Sequence, residues 1–271
     1  MNPSCDFANE MMTGGVKPSS RWTEHFWANR HREWSIPWQH ADPPPREAVV
    51  RIAGSIAEFQ RGESSEARTY LAKSELFSAR TGDPDFHTTS VLFVMEENEH
   101  AALLLRFMQL AGIPPNRRSV GDRIFRALRA VSDLGWTSRV LIIAELIAQE
   151  YYPCLRAATN HPALVRICDT IICDEDAHIR FQVERIVRVE ASLGPLGIAL
   201  RDFLQIFLMA GAAVVVHRGH HRVLSTRLSF GGFLANTLAR TRRAVHSMRA
   251  LRSSRNVAPA GNGSVSCSGA L

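Results

Sequence analysis

The stretch Glu97-Asn98-Glu99-His100 is answered 78 residues later by Glu175-Asp176-Ala177-His178. On a helix, residues three apart share a face, so each Glu and its His can address one point. One Glu-x-x-His carries little information. Two carry more here, because a further Glu precedes each at a matching distance: Glu66 lies 31 residues before Glu97, and Glu145 lies 30 before Glu175. Both stretches sit in apolar patterns of helical period, with Phe93 and Leu104 on one inward line and Cys168, Ile171 and Gln182 on the other. Four carboxylates and two imidazoles on four helices form the donor set of a two-metal carboxylate site.

Outward from these stretches the periodicity predicts an all-α chain. A first helix should run from about Arg46, just after Pro43-Pro44-Pro45, to Arg80, where Gly82-Asp83-Pro84 stops it. A second spans about Asp85 to Ala111 and closes at Gly112. A crossover, Asn116 to Trp136, carries a short amphipathic piece (Ile124, Phe125, Leu128, Val131). A third helix covers Thr137 to Thr159, where Pro153 should kink or interrupt it. The fourth covers Pro162 to Ala191. A fifth, near Ile198 to His217, is apolar almost all round; its longest apolar stretch, Phe203 to Val216, is interrupted by Gln205 and falls short of the roughly 20 residues of a membrane span, so the helix reads as buried. A sixth, Phe230 to Leu251, has an Arg-rich face.

Residues 1–45, with Trp22, Trp27, Trp34 and Trp38, read as an irregular extension that drapes its rings over the helices. The organisation expected is therefore this extension, metal-binding helices over 46–191, basic C-terminal helices over 192–252 and a disordered tail over 253–271.

The 45% hydrophobic content is ordinary for a soluble globular chain of 271 residues. Five cysteines without regular spacing argue against a disulfide framework or structural zinc and suit a reducing cytoplasm. Asp6 and Glu10 make the N-terminus unlike a secretory signal. The net charge of +6 is unevenly spread: His217 to Arg255 holds nine Arg and no acid. Such an end suits an anionic neighbour, a membrane surface in preference to nucleic acid, and places the protein in the cytoplasm or peripheral to a membrane.

In the donor set Glu97 and Glu175 are the natural bridges, one turn from a His, with Glu66 and Glu145 as terminal ligands; Glu63 and Glu150 compete for those two places. Carboxylate and imidazole donors suit two iron ions, or manganese, and the doubling argues against a single zinc. Acids stand just before both paired glutamates, so Asp174 is expected to orient His100, and Glu96 to orient His178. Tyr70 and Tyr152 lie one and two turns past Glu66 and Glu145, placed for a catalytic role such as electron transfer. His217-Arg218-Gly219-His220-His221 has the form of a membrane-desaturase histidine box, but a single box reads better as the basic end of the fifth helix.

From about Pro45 to Ala191 the chain resembles the ferritin-like superfamily of di-iron carboxylate proteins, on Glu66, Glu97-x-x-His100, Glu145 and Glu175-x-x-His178, with Asp174-Glu175 similar to that family's outer-acid pattern. The resemblance implies a ferritin-like four-helix bundle with one crossover and a metal pair at its centre, here with additional C-terminal helices. Departures narrow the activities. No rubredoxin-like cysteine pairs are present, Leu104 stands where radical-forming reductase subunits keep a Tyr, and Ile171 stands where arylamine N-oxygenases add a His. The expectation is a di-iron oxidoreductase using dioxygen, or peroxide, to oxidise, desaturate or hydroxylate an organic substrate, served by an electron-donor protein. A rubrerythrin-like scavenger and a metal-stabilised scaffold on a membrane are the alternatives.

Overall fold

A computed structural model describes residues 16, 18–40, 42–64, 67–116 and 132–257, and every regular element among them is helical. The helices are α1 (Ser19–Arg30), α2 (Arg46–Glu63), α3 (Ala67–Thr81), α4 (Pro84–Leu110), α5 (Leu134–Thr159), α6 (Pro162–Val189), α7 (Pro195–Leu224) and α8 (Phe230–Val257), with a short 3₁₀ turn at Trp38–His40.

Local chemistry sets their ends. Pro84, Pro162 and Pro195 open α4, α6 and α7, where the missing N–H costs nothing. The Asp83 and Asp133 carboxylates accept from Phe86 N and Trp136 N at the starts of α4 and α5. Asn160 ends α5 with φ of 51°, a left-handed conformation that Asn tolerates better than most residues.

Packing follows the apolar stripes. α5 lies along α6, α2 and α3 lie on α4, and α1 covers α4. Ile52, Leu104, Phe107, Ile142, Ile143, Ile167 and Ile171 fill the larger core. Trp22, Phe26, Tyr70, Phe93 and Phe181 fill a smaller one beside α1. The α7–α8 pair then packs on α2, α5 and α6.

Several expectations need correction. The helix expected over 46–80 is two: α2 ends at Glu63 with Ser64 as its cap, and α3 begins at Ala67. Pro153 does not interrupt α5, because Tyr151, Tyr152, Cys154 and Leu155 are buried on both sides of it and hold the helix in place. The extension is not wholly irregular: α1 forms because Trp22, His25, Phe26 and Asn29 share a face that the bundle buries. α8 runs to Val257, past the expected start of the tail. The amphipathic piece of the crossover and residues 258–271 lie outside the described residues. Cys173 is disulfide-bonded, whereas Cys154 and Cys168 are free and buried.

The largest correction concerns α7. It is long and apolar enough, by length and composition, to cross a membrane, and it is not a buried helix. One face packs through Met209, Ala212, Ala213 and Val216, while Leu196, Phe203 and Phe207 on another face are 85%, 65% and 71% exposed.

A buried ion network ties α7 and α8 to the rest. The fully buried Arg139 of α5 donates to both Glu190 oxygens at 2.8 Å, to Asp202 at 2.9 Å and to Gln205 at 2.5 Å. Arg249 and Arg252 of α8 pair with Asp202 at 2.9 Å and Glu190 at 2.7 Å. Removing one member of such a network strands buried charge, so Arg139→Ala should lower the unfolding free energy by about 3 kcal/mol. Urea unfolding followed by circular dichroism checks this, with a lower midpoint and an unchanged slope expected.

Candidate metal centre

The helical period brings the two Glu-x-x-His pairs face to face. Glu97 and His100 project from α4, Glu175 and His178 from α6, Glu145 from α5, and Glu63 is the last residue of α2. Two overlapping quartets result, Glu63–Glu97–His100–Glu175 and Glu97–Glu145–Glu175–His178, and within each the donor atoms lie within 4.8 Å of one another. Glu97 and Glu175 belong to both. Each quartet could hold a metal ion.

The imidazoles turn Nδ1 inward. His178 Nδ1 lies 2.8 Å from Glu97 Oε1, 3.5 Å from Glu175 Oε2 and 4.0 Å from Glu145 Oε2, and His100 Nδ1 lies 4.0 Å from Glu175 Oε1. Their outer nitrogens are held crosswise: His100 Nε2 is 3.1 Å from Asp174 Oδ2, and His178 Nε2 is 3.0 Å from Glu96 Oε2. These are the pairs read from the sequence, each acid on the helix opposite its histidine.

Glu66, read from the sequence as a ligand, lies outside the described residues; Glu63 fills a place in the first quartet. Its competitor on α5 behaves oppositely. Glu150 faces α8, accepting from Arg240 at 2.5 Å and Asn236 at 2.9 Å, and leaves Glu145 at the centre. Tyr152 is fully buried and its hydroxyl donates to Glu63. Tyr70 is buried too, its ring 6.2 Å from Phe93, which in turn lies 4.9 Å from His178.

From Tyr152 a line of rings and polar groups leads outward. Tyr151 lies 5.4 Å away and stacks on Phe59. Its hydroxyl is 2.9 Å from Ser55 Oγ, which is 2.8 Å from His220 Nδ1, and His220 Nε2 is 3.7 Å from the partly exposed Glu58. The histidine box read near this point does not converge: His220 turns into this line, His217 packs on Phe230 and Phe233, and His221 is exposed.

Two partners were missed in the sequence. Arg32 grips Asp174 with both guanidinium nitrogens, at 2.7 and 2.5 Å, and stacks over Trp34, whose ring lies 6.1 Å from His100. Asn29 donates to Glu96 Oε1 at 2.9 Å. The residues after α1 therefore close the centre on the side of the outer acids. No spacing rule marks such residues, because their partners are more than 60 positions away.

The electrostatics are those of crowded buried acids. Burial and the nearby Glu145 carboxylate push the carboxyls of Glu97 and Glu175 well above the ordinary range. Burial disfavours a charged His178, yet Glu97, Glu175 and Glu96 around its ring raise it well above the usual imidazole value. Burial also opposes ionisation of Asp174, but hydrogen bonds from His100 and Arg32 hold it far below the ordinary range. Burial takes His25, beside this cluster, down to about 4.

The residues fit a metal pair. Glu97 Oε1, both Glu175 oxygens, His100 Nδ1 and His178 Nδ1 are buried and make no hydrogen bond, and all of them turn to the common centre. A cation there would supply what each of these atoms lacks. Comparison with known proteins found no matching family model, curated protein or solved structure.

The raised groups fix the sign of the pH dependence. Glu97, Glu175 and His178 keep protons in the folded, metal-free protein at pH values where the unfolded chain has lost them. Their contribution is complete below the ordinary values of 4.5 and 6.5 and is lost as pH rises through the folded values. Chelator-treated protein should thus lose about 1.4 kcal/mol per pH unit for each proton retained, measurable by urea unfolding from pH 5 to 9. Metal affinity should move the other way, rising about tenfold per pH unit for each proton displaced.

Proposed function

We propose that the chain is a ferritin-like four-helix bundle that holds two iron ions, or iron and manganese, and works as an oxygen-activating oxidoreductase. The observation that carries this reading is the pair of quartets sharing Glu97 and Glu175. Two ions held there would share Glu97 and Glu175, with Glu63 and His100 available to one and Glu145 and His178 to the other. Carboxylate and imidazole donors favour redox-active iron or manganese, and such a pair, when bound, supplies the electrons with which dioxygen or peroxide is reduced.

The chain's own part is positioning and proton control. Asp174 and Glu96 fix His100 and His178 with Nδ1 inward and Nε2 protonated. Arg32 and Asn29 neutralise and aim those acids, while Phe26, Phe93 and Trp34 keep water from the histidine side. Tyr152 donates its proton to Glu63 and is the first hydroxyl outside the donor set. Beside it, and joined to Tyr152 by ring packing, the Tyr151, Ser55 and His220 chain runs toward the partly exposed Glu58. An electron-donor protein and an organic substrate complete the proposal. A peroxide-scavenging role would use the same residues.

Purified from iron-replete cells, the protein should carry about two transition-metal ions per chain. His100→Ala and His178→Ala should each remove about one of them, and Glu63→Ala should cost more metal than Glu150→Ala. Elemental analysis gives the counts. The reduced, iron-loaded protein should consume oxygen or peroxide in an electrode or stopped-flow assay, and Tyr152→Phe should slow turnover while leaving metal content intact. Zinc alone, or no metal at all, in the wild-type protein would sink the proposal.

A further inference from the structure

The exposed stripe of α7 plays no part in the metal centre and has no partner among the described residues. Leu196, Leu200, Phe203, Leu204 and Phe207 recur at helical spacing over three turns and all are exposed, Leu196 to 85% and Phe207 to 71%. Soluble monomers rarely present such a row of large side chains, and a row of this kind marks a contact surface.

We propose that this stripe seats the protein in the plane of a lipid bilayer rich in anionic headgroups, with α7 lying along the surface. Charge selects the occupant. From Phe203 to Leu271 the sequence has no acidic residue; Arg218, Arg222, Arg242 and Arg249 near the stripe are exposed, while Arg201 within its turns is partly buried against Asp133 and Glu190. Arg249 pairs with Asp202 beside Phe203 yet is 61% exposed, which sets α8 alongside this part of α7. Helical spacing puts Arg242 on the same side of α8 as Arg249. At the other end Arg218, eleven residues past Phe207, continues the stripe's own face and is exposed; Arg222, beyond a kink at His220, is exposed as well. An apolar row edged by arginines is the pattern of a helix that lies in the headgroup region: rings and leucines enter the acyl boundary, and guanidinium groups reach the phosphates.

The other occupants fit less well. A second copy docked by two-fold symmetry would bring this patch against itself, arginine edge near arginine edge, and the exposed acid at its rim, Asp133, is already held by Arg201. A spanning α7 would need lipid on every side. Its opposite face instead packs on α2, α5 and α8, and Asp202 and Gln205 are held by the buried Arg139. An orientation along the bilayer keeps that face in the protein. The sequence pointed to the Arg face of the last helix as the docking surface; the structure adds the apolar keel on α7 and leaves α8 to supply part of the edge.

The test uses full-length protein with vesicles of phosphatidylcholine alone and of phosphatidylcholine mixed with phosphatidylserine. Flotation should show about tenfold or stronger binding to the mixed vesicles, falling steeply with salt. Phe203→Ser/Phe207→Ser should lower that binding about tenfold or more with an unchanged circular dichroism melt, since both side chains are already in solvent. Arg218→Gln/Arg242→Gln should weaken binding and flatten its salt dependence. A tryptophan placed by Phe207→Trp should give a blue-shifted emission component on mixed vesicles only. Three results would overturn the proposal. They are no vesicle binding at low salt, a dimer in sedimentation that Phe203→Ser/Phe207→Ser dissociates, and membrane association in cells that alkaline carbonate cannot reverse.

Discussion

Burying several carboxylates around one point is the constraint on which this structure turns. Glu97, Glu145 and Glu175 meet with His178 in one quartet, and Glu63 and His100 join two of the same acids in the other. Like charges at such range, out of water, cannot all persist uncompensated. Without a metal the site answers with protons, which is why Glu97, Glu175 and His178 all move upward together. A cation bound there would take the place of those protons on the same atoms.

That constraint reaches well beyond the donors. Each imidazole must present Nδ1, which obliges an acid behind its Nε2. Each of those acids is itself buried and needs a donor. Arg32 supplies one and Asn29 the other, from the end of α1 and the turn that follows it. The tryptophan-rich extension is therefore the outermost layer of the site, with Trp22, Phe26 and Trp34 as its lining.

Much of this was written in the sequence, and the exceptions have physical reasons. The paired Glu-x-x-His stretches could be read because a three-residue spacing fixes two side chains on one helix, whatever the helix packs against. The crosswise acids could be read because each directly precedes a paired glutamate. Glu66 lies outside the described residues; the phase set by Ile52 and Ile56 carries to Glu63, the last residue of α2, and brings that acid to the first quartet. α1 escaped notice because its buried face, Trp22, His25, Phe26 and Asn29, is half polar and so shows little apolar periodicity. The exposure of α7 escaped for the opposite reason. A helix apolar on nearly every side has no periodicity to tell the packed face from the open one. Proximity of Arg32 to Asp174, 142 residues apart, is a product of folding that no local pattern encodes.

The Arg139 network also changes what counts as a unit of this protein. The composition shifts near Ala191, from helices bearing acids to helices bearing arginines, and that shift invites a boundary. The network crosses it. Glu190, the residue that caps α6 and stands one residue before that line, accepts from Arg139 on α5, Arg201 on α7 and Arg252 on α8. Asp202 beyond the line neutralises Arg139 before it. A chain ending at Ala191 would keep every metal donor and still lose Asp202 and Gln205 from around a fully buried guanidinium. The helices that carry the two quartets and the arginine-rich pair are thus not interchangeable modules. Either part, exchanged or inherited alone, would carry half of a charge balance that only the whole chain completes.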